Sequence, residues 1–128
     1  NVEVWLRRLT IQAVFKKTGG FSQPYEAIVD TWAPVSIIPP AIWEECENEI
    51  LGEYKIKGLV PKKEAYINVK IANVYCVLFD EHNTTAVLPI KAYLSLEARV
   101  PLVLGFENFL SKAKLYSDFP ARSGYIEI

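Results

Sequence analysis

Few side chains in this sequence are placed to do chemistry, and Asp30 is the first of them. In "YEAIVDTWAPVSIIPP", residues 25–40, an apolar strand runs into this single acid and then into a second apolar run. A carboxylate so placed either moves protons at a cleft or caps a turn, because Asp side chains readily accept nearby backbone N–H groups. The other reactive types offer less. His82 stands alone, with no Cys or carboxylate pattern around it that spells a metal site or a triad, and reads as a solvated loop residue. Gly19-Gly20 lacks the Lys-Ser/Thr of a phosphate loop. Pro61-Lys62-Lys63 reads as a short solvated positive turn. Cys46 and Cys76 sit in no metal or redox spacing; two partly buried free thiols are expected, with one disulfide as the alternative. No metal ligand set and no cofactor motif is legible.

The elements that must position Asp30 are mostly strands. Leu9, Ile11, Ala13 and Phe15 alternate with polar neighbours, as do Val2, Val4 and Leu6. "KKTGGF" supplies a turn, since Gly19 and Gly20 tolerate positive φ. Tyr25, Ala27 and Val29 share one face of the next strand and Glu26, Ile28 and Asp30 the other; both are largely apolar near Asp30, which predicts a strand buried on two sides. Further strands are expected near 54–60, 65–72, 74–79, 85–90 and 99–104, with a last one in "GYIEI". Pro39-Pro40 opens a short helical turn through "AIWEECENE". "FENFLSKAKL" carries Phe106, Phe109, Leu110 and Ala113 at i, i+3, i+4, i+7 and predicts the one longer helix. Many strands and one late helix point to a compact β barrel or sandwich. The expected core includes Ile28, Val29, Ile37, Ile38, Leu102, Val103, Leu104, Phe109 and Leu110.

Bulk properties bound the function. The chain has 128 residues and shows no internal repeat, low-complexity tract or linker, so 1–128 reads as one domain. Folding would bury roughly two-thirds of the surface of the extended chain, enough for a core without staples. A formal net charge of −1 argues against nucleic acid as the main partner. No apolar run approaches the roughly 20 residues needed to span a bilayer, so no membrane partner is expected. No signal-peptide pattern is visible; the chain starts at Asn1 without an initiator, which leaves trimming of an N-terminal segment open, and a cytoplasmic location is expected. Asn83-Thr84-Thr85 fits a glycosylation acceptor, a triplet common by chance.

"AIVDTWAPVSIIP" resembles the active-site segment of the retropepsin-like aspartic proteases, where an apolar strand runs into Asp-Thr-Gly-Ala. Some seventy residues later, "VPLVLGFENFLSKAKLYSDF" resembles the apolar strand, Leu-Gly and helix ending in Phe-Leu of the single-lobed prokaryotic members, and "SGYIEI" resembles their terminal strand. The resemblance implies a closed antiparallel β barrel with one short C-terminal helix. It also implies an aspartic-type endopeptidase acting as a homodimer on peptide or protein substrates, with terminal strands joining the subunits. Asp30 then matches the catalytic acid, Thr31 the hydroxyl that braces the two loops, and Ala33 the small residue after them. "YKIKGLVPKKEAY" occupies the place of the flap, with Gly58 as its one glycine. Two positions depart from the retroviral pattern: Phe106 replaces an Arg after Leu-Gly, and Trp32 stands where the motif has Gly. Trp32 keeps the backbone amide but sets an indole beside the cleft, pointing either into it or away. A catalytically impaired relative of the same fold, serving as a peptide-binding or assembly module, is the alternative.

Overall fold

The computed structural model describes residues 9–57, 66–118, 120–121 and 123–128. Strand β1 (Leu9–Lys17) turns through Thr18-Gly19 into β2 (Gly20–Phe21). Gly19 takes φ 84° and Gly20 φ 155°, the positive values that the glycine pair was expected to supply. Then follow β3 (Tyr25–Val29), β4 (Ser36–Ile38), a one-turn helix α1 (Pro40–Trp43), β5 (Asn48–Lys57), β6 (Tyr66–Phe79), β7 (Leu88–Ser95), β8 (Val103–Leu104), β9 (Lys114–Asp118) and β10 (Ser123–Glu127).

Six of these strands close on themselves in the order β1-β3-β8-β4-β7-β6 and back to β1. The closing seam is antiparallel, with Ala13 opposite Leu78 and Phe15 opposite Cys76. β5 extends the sheet beyond β6, and β9–β10 form a separate two-stranded sheet. The fold is therefore an all-β closed barrel. It is not wholly antiparallel: β3 runs parallel to β8, and β4 parallel to β7. The cause is the position of β8, which returns late in the chain to fill the slot between β3 and β4, parallel to one and antiparallel to the other.

The alternation read from the sequence sorts side chains between two apolar clusters. Ala13, Phe15, Ala27, Val29, Ile38, Val74, Leu94, Leu104, Phe109 and Leu110 fill the barrel. Ile37, Val69, Val100 and Val103 form a second cluster, against which half-buried Ile28 packs. That is why β3 is apolar on both faces. Cys46 and Cys76 are both buried and free, without a disulfide. At α1, Pro40 occupies the first turn, and the Trp43 indole N–H donates to the Ser95 carbonyl at 2.7 Å, tying the helix to β7. No described helix is long and apolar enough to cross a membrane.

The expected helix over 106–115 does not form. A single 3₁₀ turn at Leu110–Lys112 replaces it, and β9 begins at Lys114. The N–H groups of Phe106 and Glu107 are taken by the carbonyls of Ala33 and Pro34 across a loop, and Asn108 sits at φ 58°, which breaks a right-handed run. Phe109 and Leu110 still reach the core, but Phe106 points to solvent. Likewise the segment after Trp43 becomes β5 from Asn48, and strands read as 65–72 and 74–79 are one continuous β6.

Phe15 is wholly buried inside the barrel wall that closes the ring. Phe15→Ala should therefore lower unfolding free energy by about 3–5 kcal/mol, read from urea titration.

Candidate active site

Asp30 follows directly on β3, and its position is set by the strand beside it. Its backbone N–H donates to the Leu104 carbonyl at 3.1 Å, one step beyond the parallel register of Ile28 with Val103 and Val29 with Leu104. The chain then reverses: Ala33 N–H donates to the Asp30 carbonyl at 3.1 Å, closing a four-residue turn. Within it, the Trp32 N–H donates to Asp30 Oδ1 at 3.0 Å. Asp30 thus does cap its own turn, and the cap orients the carboxylate at a half-buried position with the exposed Thr31 and Trp32 beside it.

A second loop locks the first. Phe106 N–H donates to the Ala33 carbonyl and Glu107 N–H to the Pro34 carbonyl, each at 2.8 Å. Below them, the buried Ser36 hydroxyl accepts the Gly105 N–H at 2.9 Å. A Cβ on Gly105 would lie 2.6 Å from the Val35 carbonyl carbon and 2.7 Å from the carbonyl oxygens of Ala33 and Val35. Gly105 has no positive φ, so the need for glycine here is space, not conformation. The two sequence segments that carried the family resemblance are thus brought into backbone contact. Ser36 was not singled out from sequence; a serine within an apolar strand is its one signal.

Ala33 is half-buried against the outer cluster with Ile37 and Val103, where a larger side chain would have less room. Trp32 projects away from its own barrel, with 86% of its surface exposed. Asn108 is the non-glycine residue with positive φ among the described residues, so Trp32 occupies ordinary backbone space without strain. Gly58, the flap candidate, lies outside the described residues; the arms leading to it pair as far as Lys57 opposite Tyr66.

Other groups are accounted for structurally. His82 is exposed, and its N–H donates to Asp80 Oδ1 at 2.8 Å; that bond and one from the Asn83 N–H hold the Asp80 carboxyl below its usual range. The half-buried Glu97 carboxyl is drawn down to about 2 by the side-chain hydrogen bonds of Arg99. Burial, reinforced by Glu45, pushes the Cys46 thiol up to about 11, and burial pushes Cys76 to about 12. Neither offers a thiolate near neutral pH. Among the described residues no three His, Cys, Asp or Glu side chains gather as metal ligands. A groove of about 1070 Å³ runs between β10, Thr10–Gln12 and the Asp80–Leu88 turn; Val29 lines it and Asp30 does not.

Two outcomes follow. Gly105→Ala should destabilise the fold by about 2–4 kcal/mol, since backbone rather than a yielding side chain opposes the methyl group; Ser36→Ala, which orphans a buried N–H, should cost about 1–3 kcal/mol in the same thermal and denaturant assays. Both thiols should react with a disulfide reagent at pH 8 far more slowly in native than in denatured protein.

No protein-family model and no curated protein sequence matches the chain. Among solved structures it is similar to the EIAV protease complexed with the inhibitor HBY-793, at 13% sequence identity and a TM-score of 0.42 over 82% of this chain and 88% of that one.

Proposed function

We propose that this chain is an aspartic-type endopeptidase that works as a homodimer, each copy contributing Asp30. The observation that carries this reading is the locked turn. The Asp30 carboxylate is held by the Trp32 N–H at a half-buried bend. That bend is tied to the Leu104-Gly105 loop through the Asp30 N–H on Leu104 and the Phe106 N–H on Ala33, and Gly105 N–H is held by Ser36 on the strand that follows. A catalytic carboxylate needs such rigidity, because small displacements from the reacting geometry are expensive in rate.

The chemistry requires two carboxylates. One, ionised, takes a proton from water as the water oxygen attacks the peptide carbonyl carbon; the other, protonated, donates to the carbonyl oxygen. Collapse of the resulting gem-diol breaks the C–N bond as the amine nitrogen receives a proton. Like charges this close do not both ionise, so the pair retains one shared proton and titrates as a unit. The sequence offers one segment of this kind, and a two-fold axis between two copies supplies the second. Thr31 is the bracing hydroxyl in this reading, and Ala33 keeps the turn's base small.

A second reading is favoured by one feature. An indole 86% exposed, two residues from the carboxylate, suits a surface that binds peptide without cutting it. Under it, the same scaffold is a binding or assembly module.

Incubation with a diverse peptide pool from acid to neutral pH separates them. Wild type should cleave with a bell-shaped profile, losing activity at low pH as both carboxyls protonate and at higher pH as both ionise. Asp30→Asn should lower the rate about 10²–10⁴-fold. Undiminished cleavage by that variant would overturn the catalytic assignment. A wild type that retains peptides from the pool but cuts none supports the binding module.

A further inference from the structure

We propose that the groove between β1 and β10 binds an extended segment of another protein, one whose apolar side chains alternate with Lys or Arg. The site lies apart from the Asp30 turn, and the inference does not depend on the catalytic reading. Both long walls of the groove are strand edges. β1 pairs with β3 from Leu9 to Ala13, but β6 ends at Phe79, opposite Gln12. Among the described residues, therefore, no strand covers the other edge of β1 at Thr10 and Ile11. β10 pairs on one side with β9, and no described strand takes its other side. Four successive residues of β10, Gly124 to Glu127, line the groove, and β9 does not. A strand showing one face would line it with alternate residues only, so β10 meets the groove with its open edge.

That geometry selects an extended main chain as the occupant. A strand carries N–H and C=O groups along both of its sides and can add to an exposed sheet edge, whereas a helix has already paired those groups internally. The floor is apolar: Ile11, Leu88 and Ile126 are half-buried there against the barrel core. Alternate side chains of an added strand would rest on it. A volume of about 1070 Å³ stands at the top of the usual range for ligand clefts, roughly 300–1,000 Å³, and leaves room for several residues of peptide.

Charge then selects the kind of peptide. The charged side chains on the groove are Asp80, Glu81 and Glu127, with no Lys or Arg among the residues that line it. All three are exposed. Asp80 is kept ionised by the N–H groups of His82 and Asn83, which hold its carboxyl below the usual range. A rim of one sign favours a partner of the other and discourages its own. The terminal strand of a second copy fits poorly, because it would bring another Glu127 against this rim. A basic strand with an apolar face matches the edges, the floor and the rim together.

The test is a fluorescence-anisotropy titration with the Asp30→Asn protein, so that cleavage does not remove the probes. The probes are a capped octapeptide of alternating Val and Lys and its counterpart of alternating Val and Glu. The Val-Lys peptide should bind at least about 10-fold tighter at low salt. Its binding should slow amide hydrogen exchange at Thr10, Ile11 and Gly124 to Glu127. Methylating alternate backbone nitrogens of the peptide, which removes pairing along one edge and keeps the charge, should weaken binding at least about 10-fold. Glu81→Lys combined with Glu127→Lys should weaken it about as much, with circular dichroism and melting temperature unchanged because both side chains are exposed. No binding of the Val-Lys peptide at about 1 mM, equal binding of both peptides, or indifference to methylation overturns the inference. So does protection confined to Thr31, Trp32 and Ala33, which would place the peptide at the candidate active site. Dimers that protect the same two edges without peptide would give the groove to a second copy and overturn it too.

Discussion

Everything near Asp30 depends on how closely two stretches of backbone approach at Gly105. With hydrogen in place of Cβ, the residue lies against the carbonyls of Ala33 and Val35, and its N–H finds the Ser36 hydroxyl in the interior. That contact sets the height of the turn above β8. It lets Phe106 and Glu107 close the loop from the other side with two short hydrogen bonds. Take the approach away and Asp30 would be the last residue of a strand running into an ordinary surface loop. The rigidity is made of main-chain groups and one buried serine, which leaves the exposed side chains of the turn open to vary. Trp32 is an instance: its φ is unexceptional and its ring needs no room within its own barrel.

How legible this was in the sequence depended on the kind of pattern. Alternation in Leu9–Phe15 and Tyr25–Val29 announced strands because a pleated strand sends successive side chains to opposite faces. The double apolar face around Ile28 announced burial on two sides, and the outer cluster supplies it. The pattern in "FENFLSKAKL" misled. Phe109 and Leu110 must be buried, but a tight turn buries a pair of adjacent residues as well as a helix does. Asn108 turns to φ 58° and ends any right-handed run, while the Phe106 and Glu107 N–H groups, which a helix starting there would leave unpaired, tie the loop to Ala33 and Pro34. That anchoring is tertiary and leaves no mark on local periodicity.

The site was legible in part. Asp30 stood out as a lone acid in apolar surroundings, and its roles as cap and as reactive candidate prove compatible, because one N–H orients the carboxylate. The meeting of the Asp30 turn with Leu104-Gly105 was carried by family resemblance rather than by any physical reading of the residues. Ser36 was invisible for the same reason, since nothing in an apolar strand says which distant N–H a serine will serve. The direction of Trp32 needed coordinates, because either face of a turn accepts an indole.

The late position of β8 has a consequence for how the chain reaches this state. β3 and β4 lie early in the sequence, yet neither is paired with the other; each waits for Val103–Leu104 to fill the slot. During synthesis, a chain that has already made β1 through β7 carries two unsatisfied strand edges around an open seam. Non-local pairings of this kind slow folding, and exposed edges invite association with other chains. The same insertion that seats Asp30 thus defers the barrel's completion to the emergence of β8, and makes the interval before it the period in which a nascent chain most needs protection from its neighbours.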